Sequence, residues 1–451
     1  PMKVQSLLIA LICIGFISEA RAKNPWIQKI KGGSLPGYFS QLRVHPDRYI
    51  ASQGTYKHPP QLADIKTGKT IAVPAFLSLK GVPAAPSVSS RALTGPQLRE
   101  RLRKMKLSGK YFQYTSIQLV YADPHRGVGG YLVSVARYVT KKPVVCPCGG
   151  APRFLAADQM YYCPRCRKFL PESAYITEKK EQRYYHFRFS TASVLWSLTV
   201  GEGVYQSMGP DGAGKKLYLG ESRTMYGKSV VTGPVRLVRI DLPTRRVDFT
   251  HKVPMPTRKR HPGAYSTSWR ASGDFSRFLV YEFDEKLRGK KGGWLTNPGP
   301  RGAVVTIAKK GSHFTFNAPV EIWTAAFGIR SRFLYVNSYQ RGEITTVDCV
   351  RKKILSTKKR GTRTYLMVPS ASGKYLYAFG LSGITVLGLP GLKKQGFVWK
   401  NDFLGMGNTT VGQWYAMGDQ RRVFISTMKI PTGSALPDHS RHGFSLFSLL
   451  R

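Results

Sequence analysis

The chain has 451 residues, of which 42% are hydrophobic, too apolar for a disordered polymer and enough for a large core. Lys and Arg number 70 against 24 Asp and Glu, a formal charge of +46. Such a field draws polyanions, among them nucleic acid, anionic cell-surface polymers and anionic lipid head groups, and the scarcity of acids disfavours a paired-carboxylate glycosidase. The charge runs along the whole chain, so a compositional habit of the source accounts for it as readily as one dedicated binding stripe.

The first element, residues 1–22, reads as a signal peptide. Pro1 precedes the evident start at Met2. Lys3 supplies a positive start, Leu7 to Ile17 is apolar apart from Gly15, and Ala20-Arg21-Ala22 sets small residues at a cleavage site before Lys23. The run is short for a bilayer span. Ile12 is too large for a lipobox at Cys13, which is expected to leave with the signal. The expected product is an exported chain, periplasmic or extracellular, with no transmembrane span.

His45-Pro46-Asp47 and Ala63-Asp64-Ile65-Lys66-Thr67-Gly68-Lys69 then read as turns. Thr94 to Lys106 has a Thr cap, an early Pro and strong helix formers, which predicts a basic connecting helix near 94–106. Ile117-Gln118-Leu119-Val120-Tyr121 and Tyr131-Leu132-Val133-Ser134-Val135 read as strands.

Cys146-Pro147-Cys148-Gly149-Gly150 and Cys163-Pro164-Arg165-Cys166 follow, two short cysteine pairs that can set four thiolates around one metal. Export favours two disulfides as the competing arrangement. Haem attachment needs a His after the second cysteine, and Arg167 stands there. Either way the cysteines staple an insert, residues 143–180, too small for its own core. Cys349 reads as a buried free thiol in a strand.

The remainder repeats a theme. A turn of Gly, Asp or Ser precedes an aromatic-aliphatic strand, and a second apolar strand ends in a basic turn. Pro210-Asp211-Gly212 leads to Lys216-Leu217-Tyr218-Leu219, and Ser272-Gly273-Asp274 leads to Arg277-Phe278-Leu279-Val280-Tyr281. Arg332 to Ser338, Tyr375 to Ala378 and Arg422 to Ser426 continue the series. With Leu217, Leu279, Leu334, Leu376 and Phe424 as equivalents, the steps are 62, 55, 42 and 48 residues, near the period of a four-stranded blade with insertions.

Phe333-Leu334-Tyr335-Val336-Asn337 with Thr346-Val347-Asp348, and Ser372-Gly373-Lys374 with Tyr375-Leu376-Tyr377, resemble the YVTN-type β-propeller repeat, and the turns at 45–47 and 63–69 resemble those of quinoprotein-like propellers. The resemblance implies a mainly-β fold, a β-propeller of about seven blades, with first blades in 23–142 and the rest in 181–451. The insert resembles a zinc ribbon, although Cys146 and Cys148 enclose one residue where that family has two. This implies structural zinc on Cys146, Cys148, Cys163 and Cys166.

No GxSxG, HExxH, phosphate loop or GxGxxG occurs. Asp123-Pro124-His125-Arg126 reads as a turn. Basic clusters stand at Arg258-Lys259-Arg260, Lys286 to Lys291, Arg351 to Lys353 and Lys358 to Arg360, and equivalent turns of a propeller gather such charge on one face. The expected function is non-catalytic binding of a protein or anionic polymer at the cell envelope. A propeller enzyme (lactonase, hydrolase or quinoprotein-like oxidoreductase) with a site at its mouth is the alternative, and a self-assembling surface-layer component the third.

Overall fold

The computed structural model describes residues 26–36, 44–45, 48–52, 59–64, 67, 69–86, 95–156, 158, 160–222, 224–225, 234–254, 265–284, 301–307, 311–319, 322–338, 341–360, 364–380, 382–400, 409–416, 422–429 and 441–450. The signal-peptide reading and the basic clusters at 258–260 and 286–291 lie outside these residues. Among the described residues no helix is long and apolar enough to cross a membrane.

Seven antiparallel sheets follow one another along the chain, each a meander. Blade 1 has the strands Tyr49–Ser52, Gln61–Asp64 and Thr70–Ala72. Blade 2 has Phe112–Asp123, Val128–Thr140, Ile176–Arg188 and Ser193–Glu202. Blade 3 has Val204–Pro210, Lys216–Ser222, Val235–Asp241 and Arg246–Val253. Blade 4 runs Tyr265–Ala271, Arg277–Asp284, Arg301–Thr306 and Ser312–Asn317, with Thr224–Met225 added beside its first strand. Blade 5 has Thr324–Phe327, Phe333–Ser338, Glu343–Asp348 and Lys353–Lys359; blade 6 has Thr364–Pro369, Tyr375–Gly380, Gly383–Gly388 and Lys393–Trp399. Blade 7 joins Thr409–Ala416, Arg422–Lys429 and Arg441–Leu449 to the first strand of the chain, Ile27–Pro36. The ring is thereby closed by its own two ends, and the fold is a seven-bladed β-propeller.

Leu217, Leu279, Leu334, Leu376 and Phe424 all fall on the second strands of successive blades, as the repeat spacing required. These middle strands are nearly continuous in apolar residues because both faces are covered by neighbouring blades: Leu376 to Phe379 and Ile384 to Leu387 are buried throughout. The fourth strands are more exposed: Arg246–Val253 shows every second residue to solvent, and Lys353–Lys359 shows nearly all. First strands of successive blades touch one another and line the centre.

The seams between blades are filled by aromatic rings over small residues. Trp269 of blade 4 is 1% exposed and donates its indole N–H to the Glu221 carbonyl of blade 3 at 2.8 Å. Its ring lies so close to Gly220 that a Cβ there would stand 2.3 Å from Trp269 Cγ. Between blades 2 and 3, His186 stacks on Tyr121 at 5.9 Å and on Trp196 at 5.0 Å, and shares a hydrogen bond with the Tyr184 hydroxyl at 3.1 Å. Burial, reinforced by Arg245, lowers the His186 imidazole to about 4.

The four-cysteine module lies inside blade 2, between its second and third strands, and not after that blade. Val128–Thr140 and Ile176–Arg188 pair over their whole lengths, Ile176 opposite Thr140 and Arg188 opposite Val128. The expected helix is present as Gly95–Leu107.

Two outcomes follow. Gly220→Ala is expected to lower stability by about 1–3 kcal/mol, because the added methyl meets a ring that has no room to retreat; chemical denaturation measures it. His186 takes up a proton near pH 6.5 when unfolded and only near 4 when folded, so stability falls as pH drops through that window, by up to about 3 kcal/mol. Denaturation of His186→Phe across the window is expected to show a flatter acid limb, with lower stability at neutral pH from the orphaned Tyr184 hydroxyl.

Candidate metal centre and cationic face

The module is built from two knuckles and a small sheet. Arg153–Leu155, Met160–Cys163 and Lys168–Phe169 form the sheet, with Arg153 opposite Tyr162, and Tyr162 opposite Phe169. Register sets Phe154, Tyr161 and Cys163 on the inner face. There Tyr161 packs on Tyr175, which is fully buried with Cys146, Cys163, Leu170 and Ile176. The helix clamps the module from outside: the Arg103 guanidinium donates to the Asp158 carbonyl at 2.6 Å, and Lys106 pairs with Glu172 at 2.7 Å.

All four insert cysteines converge. Their sulfurs lie within 4.8 Å of one another, with Cys146 to Cys148 at 3.3 Å, Cys148 to Cys163 at 3.5 Å and Cys146 to Cys166 at 3.6 Å. A tetrahedral thiolate site with bonds of about 2.3 Å sets its sulfurs about 3.8 Å apart. The five described cysteines are free thiols. The chemistry of the donor set therefore fits a metal ion. Among the described residues this is the single group of three or more His, Cys, Asp or Glu close enough to share one.

Backbone geometry supports the sulfurs. Amides of Cys166 and Arg165 donate to the Cys163 sulfur and lower its thiol to about 7. The Cys148 amide donates to Cys146 in the same way, but the neighbouring thiols and burial push that group up to about 12. The one-residue spacing of Cys146 and Cys148 thus still yields an amide-to-sulfur contact. Gly150 is required by its surroundings, since a Cβ there would lie 2.9 Å from the Cys163 sulfur.

Cys349 is buried, as expected, but in the turn just after the strand Glu343–Asp348 and not within it. Burial raises its thiol to about 11. The Asp123–Arg126 segment is a turn: Asp123 accepts the Arg126 amide at 3.2 Å, and His125 meets the Tyr49 hydroxyl at 3.2 Å. These groups are engaged in turn structure and do not converge on a reactive centre.

The basic residues gather by topology. In an antiparallel four-stranded blade, the first and third turns lie at one end and the second at the other. Adjacent blades agree on which end, because Ser331 in the first turn of blade 5 donates to Asp274 in the first turn of blade 4 at 2.7 Å. The third turns share one backbone form, with Ala192, Arg245, Lys352 and Leu392 all at φ between 45° and 58°. The residue after this position is an exposed base on blades 3, 5 and 6: Arg246, Lys353 and Lys393. The first turns add Arg126, Lys215, Arg332 and Lys374, also exposed and nearer the centre.

The acids of this end point inward. Asp64 accepts the Thr67 amide, Asp211 the Lys215 and Lys216 amides, Asp241 the Thr244 amide and Asp348 the Val350 and Arg351 amides. Hydrogen bonds from Ser272, Ser276 and Ser331 offset the burial of Asp274 and hold its carboxyl below the usual range. The Arg351 to Lys353 cluster belongs to this face. Lys358 and Arg360 stand at the far end of the same strand and reach the Gly391 carbonyl at 2.9 and 3.4 Å. Sequence reading found the clusters but not the repeated position, because single bases in separate blades make no run.

No family model matches the chain, and no curated protein matches it. Solved structures do. The Dos1 propeller covers 94% of this chain and 95% of its own length at 10% identity, with a TM-score of 0.46. The Cps50 (Swd1) β-propeller domain of Myceliophteria thermophila covers 60% of this chain and 92% of its own at 12% identity and 0.34. A functionally unknown protein from Desulfotomaculum acetoxidans covers 57% and 74% at 11% identity and 0.34.

Proposed function

We propose that this chain is an exported, non-catalytic binding protein that holds an anionic polymer at the cell envelope through the cationic end of its propeller, with a structural zinc ion in the blade 2 module. The observation that carries the reading is the recurrence of an exposed base at the same turn position in three blades while the acids of that end are folded back onto backbone amides. A repeated, radially spread set of bases suits a ligand with repeated negative charge better than a small molecule. Support for export comes from Lys3, the apolar run to Ile17 and Ala20-Arg21-Ala22. The repeat wording supports a YVTN-type propeller. The paired knuckles support a zinc-ribbon-like staple, and tetrahedral sulfur coordination suits zinc.

Two measurements test it. The reversal variant Arg246→Glu/Lys353→Glu/Lys393→Glu is expected to bind polyphosphate at least about tenfold more weakly than the parent, with a shallower dependence of affinity on salt, because each lost contact releases fewer counterions. Equal affinity and an equal salt slope would sink the polymer reading. For the metal, the purified protein is expected to carry about one zinc per chain. Cys146, Cys148, Cys163 and Cys166 should react with a thiol reagent only after chelation. A metal-free protein with those four cysteines oxidised would instead establish two disulfides.

A further inference from the structure

The module has a second face, on which Phe169 is exposed and Tyr162 half-buried. Because Arg153, Tyr162 and Phe169 stand directly opposite one another across the three strands, they form one row on the side away from Cys163 and Tyr175. The Tyr162 and Phe169 rings touch edge to face at 5.3 Å. Phe169 is 49% exposed, unusual for a phenylalanine in a sheet. Arg153 in the row, and Arg165 and Arg167 close to it in sequence, are exposed and make no ion pair with described residues.

Aromatic faces interleaved with unpaired bases are the chemistry that holds unstacked nucleobases, with π-faces taking the bases and cations taking the phosphates. We infer that the outward face of the module binds single-stranded nucleic acid, with bases stacked on Tyr162 and Phe169 and the backbone held by Arg153 and Arg167. Charge complementarity selects this occupant: the ring pair offers apolar area in one row with Arg153, and Arg167 stands two residues from Phe169, which suits a chain that alternates flat apolar groups with anions. The face lies at the second-turn end of the propeller, opposite the cationic turns, so it does not depend on the polymer reading above.

The test uses the full-length, metal-loaded protein and a fluorescently labelled oligothymidylate, with polyphosphate and a DNA duplex as competitors. The oligothymidylate is expected to bind in preference to the duplex. Tyr162→Ala/Phe169→Ala should weaken it about ten- to a hundredfold, since each stacked base is worth about 1–3 kcal/mol, while polyphosphate binding stays unchanged. Phe169→Leu, which keeps apolar packing and removes the ring, should weaken single-strand binding and leave metal content intact. The inference is overturned if the parent does not bind oligothymidylate, if these variants bind it as the parent does, or if the duplex competes as well as the single strand. Arg246→Glu/Lys353→Glu/Lys393→Glu separates the two faces: it should lower polyphosphate affinity and keep the preference for the single strand over the duplex.

Discussion

Closure of the ring is the constraint on which the rest of the structure depends. Ile27–Pro36 runs antiparallel to Arg441–Leu449, from Ile27 opposite Leu449 to Pro36 opposite Arg441. Ile27 is buried in one cluster with Val423, Phe447 and Leu449, which continues into Val368, Tyr377, Phe379 and Val398 of blade 6. Trp26 extends the seam, with its ring edge-on to Tyr375 at 5.3 Å and its carbonyl accepting the Leu450 amide. An open ring of blades would leave one apolar flank and one strand edge uncovered. Here the two ends of the chain supply both, so every middle strand is covered on both faces and the polar turns are set in fixed places at the two ends.

That fixed frame explains why function can be placed on the turns. The turn aspartates are consumed by local geometry: each caps amides two to five residues ahead. Of the bases beside them, Arg126 and Arg332 pair with Asp123 and Asp348 at 3.5 and 3.6 Å, and these two, with Arg246, Lys353 and Lys393, remain exposed. A charge excess that looks diffuse along the chain becomes a pattern once seven copies of one hairpin are turned about an axis. The opposite end is shaped differently, by an insertion into a single blade, and its chemistry is aromatic as well as cationic.

Much of this was legible in the sequence. The second-strand residues Leu217, Leu279, Leu334 and Leu376 carry the repeat because both faces of their strands are buried, so apolar residues are needed there. The four cysteines were legible because metal ligation demands specific atoms at short spacing. Ile27–Pro36 was not. Its IQKIKGGSLP wording has two glycines, two lysines and no sustained alternation, and it is a strand because Arg441–Leu449 lies beside it. The place of the module inside blade 2 was also hidden. Residues 117–121 and 131–135 read as two strands, and the strand that pairs with the second resumes only at Ile176. The outward row of Arg153, Tyr162 and Phe169 depends on register, which no local pattern in three very short strands declares.

The interruption of blade 2 also bears on how the chain reaches its fold. In blade 6 the second and third strands are joined across the short Gly380–Gly383 link; in blade 2 the longest ladder among the described residues must form across 35 intervening residues. Closing a flexible loop of that length carries an entropic charge that grows with the logarithm of its length. A cation that gathers the four sulfurs shortens the free path between Thr140 and Ile176 to a few residues on either side, easing closure by about 1 kcal/mol. The metal centre, remote from the propeller axis, would then act on the kinetics of the whole ring, by deciding how soon blade 2 is ready to receive its neighbours.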